Sequence, residues 1–250
     1  MSESMRGTHL PERGRESLSI ILAAYGEGDN LAILLPKIRT VVKDVVPSWE
    51  VIVVDTQQPT DDTPAVCAVN EVRYVARRGG DDYGDAIRTG LSESRGEYVV
   101  IMDADGSHNP EFIKQLWSER FRADVIIASR YVVGGHTDNP WLLVGSSRLL
   151  NLLFRAIVGL PAVDVSNSFR LYRGRALRAL HLAYRHFDIL EEILAKLAWQ
   201  TSPPARIMEI PYRFERRMKG ESKRSLLVFG WHFCMAALRL SRSRKRFFTE

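Results

Sequence analysis

In the stretch IMDADGSHNP, residues 101–110, two carboxylates stand one residue apart directly after the apolar run EYVVIM. Like charges that close repel unless a cation lies between or beside them. Asp103 and Asp105 are therefore candidate ligands for a divalent metal, since Mg2+ takes one or two protein carboxylates and leaves its other positions to water and substrate phosphates. Two plainer readings compete: a loop of solvated aspartates, or Asp105 capping a helix that begins near Pro110. An EF-hand loop opening at Asp103 fails, because its sixth and twelfth positions must be Gly and Glu and here are His108 and Lys114. The histidines show no metal-ligand spacing.

A second kind of chemistry is suggested by arginines. Arg130 in SRY, Arg148 in SSRLL, and Arg217 with Lys223 in RRMKGESK could each hold a phosphate. Arginine suits that task because it stays charged and binds bidentately. A solvated face or an ordinary ion pair is the bland alternative for each. Cys67 and Cys234 are too few for a disulfide framework and both read as core thiols. Glu191 and Glu192, in DILEEILAKLAWQ, are the candidate general bases should the reaction need one.

These groups have to be positioned by something. Ile- and Val-rich runs at 18–24, 50–55, 71–76, 97–103 and 123–129 alternate with helix-like segments. Near-continuous hydrophobicity in such short runs predicts parallel strands covered on both faces. Ligands of such sheets bind at the carboxyl ends of the strands, which is where Asp103 and Asp105 fall. Asp29 is the expected cap of the first helix, Pro36 its kink or its start, and Gly96 the close of the helix at 84–96. Further on, 139–161 reads as an apolar helix, 164–174 as extended, 188–200 as a helix, and 205–217 as a strand broken by Pro211. A mannered aspartate pair also occurs in phosphatases of the haloacid-dehalogenase type, as DxDxT on the first strand. Here the pair ends the fourth run and precedes Gly106 and Ser107.

The order of fragments from 18 to 225 is more specific: LSIILAAYGEGDNL, VIVVDTQQPTDDT, RRGGDDYGDAIRTGL, GEYVVIMDADGSHNPE, VIIASRYVVGG, SSRLLN, DVSNSFRLYRG and RRMKGESK. Together they resemble the inverting GT-A glycosyltransferases of family two, and among them the dolichol-phosphate (polyprenol-phosphate) mannosyltransferases. The resemblance implies an α/β, Rossmann-like GT-A fold with a mostly parallel central sheet flanked by helices. It implies transfer of a hexose, mannose from GDP-mannose in the first instance or from a UDP-sugar, to polyprenol phosphate with Mg2+ or Mn2+. By the same resemblance Asp103, Asp105 and Ser107 hold the metal. Asp105, Arg130 and Arg148 are the catalytic set, and Tyr25, Glu27, Asp55, Gly84, Asp103, Arg217 and Lys223 bind the donor. His108 belongs to the family's DADxxH pattern and shapes the metal loop. The sequence departs from the family at Ala23, Gly26 and Thr56 in the nucleotide loops, and at Ser107, where glutamine is common. Family members with hydroxyl acceptors carry ED-type and QxxRW motifs, and this chain has neither.

With 250 residues, 45% of them hydrophobic, the chain can bury one substantial core. The expected division is an N-terminal segment at 1–16, a catalytic domain at 17–225 and a basic amphipathic segment at 226–250. No run reaches the ~20 apolar residues of a membrane span, and no signal sequence is evident. The expectation is thus a cytoplasmic protein. The net charge of +5 concentrates at 215–225 and 239–248, which together with Trp231, Phe233, Met235 and Leu238 suggests peripheral contact of the last helix with a membrane. No nucleic-acid partner is expected. The remaining alternatives are a soluble glycosyltransferase acting on a small molecule or peptide, and a non-catalytic nucleotide-sugar binding protein.

Overall fold

The computed structural model describes residues 16–200, 203–219 and 226–247. The chain runs β1 (Ser17–Ala23), α1 (Gly28–Val45), β2 (Ser48–Asp55), α2 (Thr63–Val69), β3 (Arg73–Ala76), α3 (Tyr83–Glu93), β4 (Tyr98–Asp103), α4 (Phe112–Ser118) and β5 (Val125–Ser129). It continues through β6 (His136–Thr137), α5 (Trp141–Val158), β7 (Arg170–Arg173), α6 (Gly174–Arg178), α7 (Ile189–Gln200), β8 (Ile207–Pro211), β9 (Arg213–Phe214) and α8 (Leu226–Phe247). The main sheet has the order β3-β2-β1-β4-β7-β5-β8, and β6 pairs with β9 in a small second sheet. All neighbours in the main sheet are parallel except β7, which lies antiparallel between β4 and β5.

Residues alternate across this sheet as the pleat demands. Leu18, Ile20 and Leu22 of β1 face α1, α2 and α4, packing with Leu31, Leu35, Cys67 and Leu116. Ile21 faces the opposite layer, with Ile87 of α3, Phe154 of α5, Ile193 of α7 and Phe233 of α8. The expected GT-A-like α/β architecture is therefore present, with helices on both faces.

The structure corrects several local readings. Asp29 does not cap α1. The helix starts one residue earlier, and the Gly28 N–H donates to Asp61 Oδ2 at 2.7 Å. Pro36 lies inside α1 rather than at its start. Gly96 does not close α3, which ends at Glu93 with Ser94 as its cap. A Cβ at Gly96 would lie 2.5 Å from the Ser19 nitrogen, so glycine is needed there for close passage beside β1. Cys67 is a core thiol, pushed up to about 12 by burial, but Cys234 is exposed. Phe233 does not face outward either: it is buried and packs on Phe154 at 4.8 Å. Finally, α5 is long and apolar enough, by length and composition, to cross a membrane. Its two arginines interrupt the apolar run in the sequence without removing that character.

Candidate active site

The strand register brings the sequence-predicted groups to one edge. Ala23 at the end of β1 pairs with Val54 on one side and Asp103 on the other. The loops carrying Tyr25 and Glu27, Asp55, and Asp103 to Ser107 therefore leave the sheet side by side. Ser129 ends β5, so Arg130 is the first residue beyond it.

Asp103 closes β4, where its side chain is held by neighbours. Ser168 donates to its Oδ1 at 2.9 Å and the Tyr83 hydroxyl reaches the same oxygen at 3.4 Å. Its backbone N–H donates to His108 Nδ1 at 3.0 Å. Since Nδ1 accepts, the ring proton sits on Nε2, which donates to Asn167 Oδ1 at 3.2 Å. The imidazole is fully buried, stacked on Phe169 at 4.8 Å, and burial lowers its pKa, so it is a neutral brace for the aspartate loop. Asp105 Oδ1 accepts the Ser107 N–H at 3.0 Å and the Ser107 hydroxyl at 2.6 Å, a local turn closed by side chain to backbone. Asp105 caps no helix, because α4 begins at Phe112. Gly106 at the apex has φ +80°, and Met218 covers it so closely that an added Cβ would meet its side chain.

Among the described residues no group of three His, Cys, Asp or Glu side chains converges on a point that could hold a metal. The donor set is two hard carboxylates with a hydroxyl behind one of them. That set fits a Mg2+- or Mn2+-type ion which takes most of its remaining ligands from water and phosphates, and does not fit a closed protein cage.

A strap crosses the same loop. The Glu215 N–H donates to the Ser107 carbonyl at 3.2 Å and the Met218 N–H to the Asp105 carbonyl at 2.9 Å. Arg217 Nη2 donates to both oxygens of Glu27, at 2.7 and 2.9 Å, and Asn30 Nδ2 adds a bond to Glu27 at 2.6 Å. Glu27 is thus already engaged by one protein cation and one amide. Lys223 lies outside the described residues, as does Gly220. Tyr25 is about half exposed beside them.

Asp55 is completely buried, and burial raises its carboxyl pKa above the ordinary range. Among the described residues neither its Oδ2 nor the Tyr74 hydroxyl makes a well-formed hydrogen bond, although the hydroxyl lies near enough to the carboxylate to interact with it. An orphaned acceptor of this kind costs about 1–3 kcal/mol unless a ligand engages it. Gly84 behaves differently from expectation: the space beside it is filled by the main chain. A Cβ there would lie 2.4 Å from the Tyr184 carbonyl oxygen, and the Gly84 N–H donates to the Arg185 carbonyl at 2.6 Å. It is the neighbouring Tyr83, stacked on Phe187 at 4.2 Å, that reaches Asp103.

The arginines form a second cluster. Arg130 donates from Nε and Nη2 to the two oxygens of buried Asp164, at 2.8 and 2.7 Å, and from its backbone N–H at 2.9 Å. Nη2 also reaches Ser166 at 2.9 Å, so Nη1 is the guanidinium nitrogen without a hydrogen bond among the described residues. Burial alone would lower the Arg130 pKa, but Asp164 outweighs it and raises the value further. Arg130 and Arg148 share the Tyr131 ring, at 4.8 and 5.3 Å from its centroid. Arg148 has no carboxylate partner among the described residues. By contrast, both base candidates are buried, and Glu192 already accepts the Ala183 and Tyr184 N–H groups and Lys196 Nζ.

Asp164, Ser168, Asn167 and Tyr83 went unassigned in the sequence. The first three lie in DVSNSF, whose extended character was legible but whose contacts with β4 and β5 depend on β7 inserting between them.

A mostly parallel sheet with paired aspartates at the end of its central strand and basic groups around that edge defines a GT-A glycosyltransferase. Residues 19–180 match the family model described as glycosyl transferase family 2, and the chain belongs to that family. It is 33% identical over 223 residues to the undecaprenyl-phosphate mannosyltransferase of Micrococcus luteus, covering 84% of this chain and 88% of the relative. The dolichol-phosphate mannosyltransferase of Pyrococcus furiosus is 28% identical over 214 residues; the match covers 82% of this chain but only 58% of that relative's length. Among solved structures, glucosyl-3-phosphoglycerate synthase of Mycobacterium tuberculosis superposes with a TM-score of 0.71 at 17% identity, covering 90% of this chain and 80% of that one. At that identity it shares the fold.

Proposed function

We propose that this glycosyltransferase moves a hexose, mannose from GDP-mannose, onto polyprenol phosphate with inversion at the anomeric carbon. The observation that carries the reading is the Arg130–Tyr131–Arg148 cluster, in which Asp164 fixes one guanidinium and the other has no carboxylate of its own among the described residues. Two such cations beside one ring suit a phosphate monoester. The names of the Micrococcus and Pyrococcus relatives support the same acceptor class. A phosphate acceptor is already an anionic nucleophile, so burial of Glu191 and occupation of Glu192 cost the reaction nothing.

A Mg2+ or Mn2+ ion at Asp103 and Asp105 supplies Lewis-acid stabilisation of the departing diphosphate when bound. Solved structures of the mycobacterial synthase carry UDP with Mn2+ or Mg2+, which supports the metal class. The chain's own groups do the rest. Ser107 fixes the rotamer of Asp105 and keeps oxygen lone pairs for the same cation. Arg130 Nη1 and Arg148 hold the acceptor phosphate. Its oxygen forms a bond to the anomeric carbon as the bond from that carbon to the nucleotide diphosphate breaks on the opposite face. Asp55 meets the nucleoside once the loop over its buried carboxylate opens, Tyr25 stacks beside it, and Arg217 leaves Glu27 for the donor phosphates, joined by Lys223. Gly84 acts on the donor side through the close main-chain contact it allows beside Tyr184 and Arg185, next to the Tyr83 that reaches Asp103. The chain works at the cytoplasmic membrane surface as a peripheral protein.

Incubating the purified chain with Mg2+ or Mn2+ and a set of GDP- and UDP-sugars, with and without polyprenol phosphate, tests this. Nucleotide release should require the lipid phosphate and be greatest with GDP-mannose. Release driven by a small molecule or peptide instead would overturn the acceptor, and donor binding with no turnover would favour a binding protein.

A further inference from the structure

The outer face of α5 is unlike that of an ordinary surface helix, which carries charged and polar groups toward water. Trp141, Leu142, Leu149, Leu152, Leu153 and Ile157 are all exposed, Trp141 by 82%. At 3.6 residues per turn they fall within an arc about 160° wide. The other residues of that arc are Gly145, Ser146 and Ala156, so the face carries no charge over its whole length. The opposite side holds the helix in place: Phe154 packs on Phe233, Asn151 accepts the Val165 N–H at 2.7 Å, and Val158 is buried. Although α5 has the length and composition of a spanning helix, its core-side residues keep it integrated in the domain. Only one side is available.

Arg148 and Arg155 both line one border of the apolar arc. Arg148 shares Tyr131 with Arg130, so this border is the one nearest the arginine cluster. We infer that α5 lies flat in the headgroup region of a membrane, its leucine face against the acyl chains and its arginine border at the level of lipid phosphates. An interfacial helix buries its apolar face about 5–10 Å deep, and arginine stems can lie along apolar surface while their heads stay with phosphate. Charge favours this occupant over a second copy of the chain: anionic headgroups complement the arginine border, whereas self-pairing would bring together two chains that each carry a net charge of +5. The membrane contact thus belongs to α5, and the arginine cluster opens at the lipid surface. What reacts there rests on the acceptor reading above; the docking itself does not.

The test uses the full chain with phosphatidylglycerol/phosphatidylcholine vesicles and no donor, metal or polyprenol phosphate. High salt screens attraction from the basic end of α8. The protein should float with the vesicles, and brominated lipid should quench a tryptophan signal that Trp141→Phe removes. Leu149→Glu/Leu153→Glu should lower partitioning by at least about tenfold, while Ile33→Glu, the same kind of change on exposed α1, should not. Far-ultraviolet circular dichroism should match for all three. Equal flotation of the double variant, or no flotation of the parent chain, overturns the inference. So does a self-association abolished by the double variant in the absence of vesicle binding. Vesicle docking combined with transfer to a non-lipid acceptor would leave the surface standing and remove the acceptor assignment.

Discussion

Asp103 and Asp105 are braced from different directions, the first by Ser168, Tyr83 and His108, the second by Ser107 and the Met218 N–H. Asp105→Ala should lower kcat by roughly 10²–10³-fold, the scale of losing one group that stabilises transition-state charge, with a near-unchanged melting temperature; unaltered turnover would remove Asp105 from the site. Arg148→Ala should raise the KM for polyprenol phosphate by about tenfold or more, the scale of one charge-assisted hydrogen bond, and Arg148→Lys should restore part of it. Asp164 answers to stability as well as to positioning. Burial alone would raise its carboxyl pKa, but the Arg130 guanidinium outweighs burial and holds it below its ordinary value. With the folded value depressed, this pair's contribution is full above the unfolded pKa and is lost as pH falls through the folded one. Asp164→Asn leaves Arg130 buried without its counter-charge and should cost about 3–5 kcal/mol in urea unfolding at neutral pH. The difference between variant and parent should shrink toward acid; a pH-independent difference would contradict the pair. Asp55 has the opposite sign. Burial raises its folded pKa, so its cost appears as pH rises from the ordinary carboxylate value through the folded one.

Elements position these residues through close contacts that small side chains permit. Gly84→Ala places a Cβ 2.4 Å from the Tyr184 carbonyl, and Gly106→Ala adds a left-handed φ of +80° to a clash with Met218. Each should destabilise by about 1–3 kcal/mol, checked by thermal melts, and Gly106→Ala should also loosen the strap and raise the donor KM. β1, β2, β4 and β5 were legible because buried parallel strands read as Ile/Val runs, and the break at Pro211 appears as the separation of β8 from β9. β7 was legible only as extended chain: RLYR is four residues long, and nothing local says that it enters the sheet antiparallel between β4 and β5. Asp29 and Gly96 were misread for a related reason. Their surroundings are set by Asp61 and by Ser19, partners distant in sequence that a local capping pattern does not contain.

Across the whole molecule, the aspartate pair and the arginines could be named from type and spacing, but their wiring could not. Asp164 fixing Arg130, Asn167 fixing His108 and Arg217 holding Glu27 all join segments 34 to 190 residues apart. The apolar stripe of α5 was similarly hidden, since its sequence is that of a core helix until Asn151, Phe154 and Val158 prove to be the only buried residues along it. On the proposed metal role, chelation should stop turnover and added Mg2+ or Mn2+ restore it, while the circular dichroism spectrum stays constant, because Asp103 and Asp105 are held in place by protein partners. The most direct measurement is mass spectrometry of the lipid fraction after reaction of the chain with GDP-mannose, a divalent metal and polyprenol phosphate. The account predicts a hexosyl-phosphoryl-polyprenol formed in step with nucleotide release and lost in Asp105→Ala. Nucleotide release with the sugar recovered on a water-soluble acceptor and none on the lipid would contradict it.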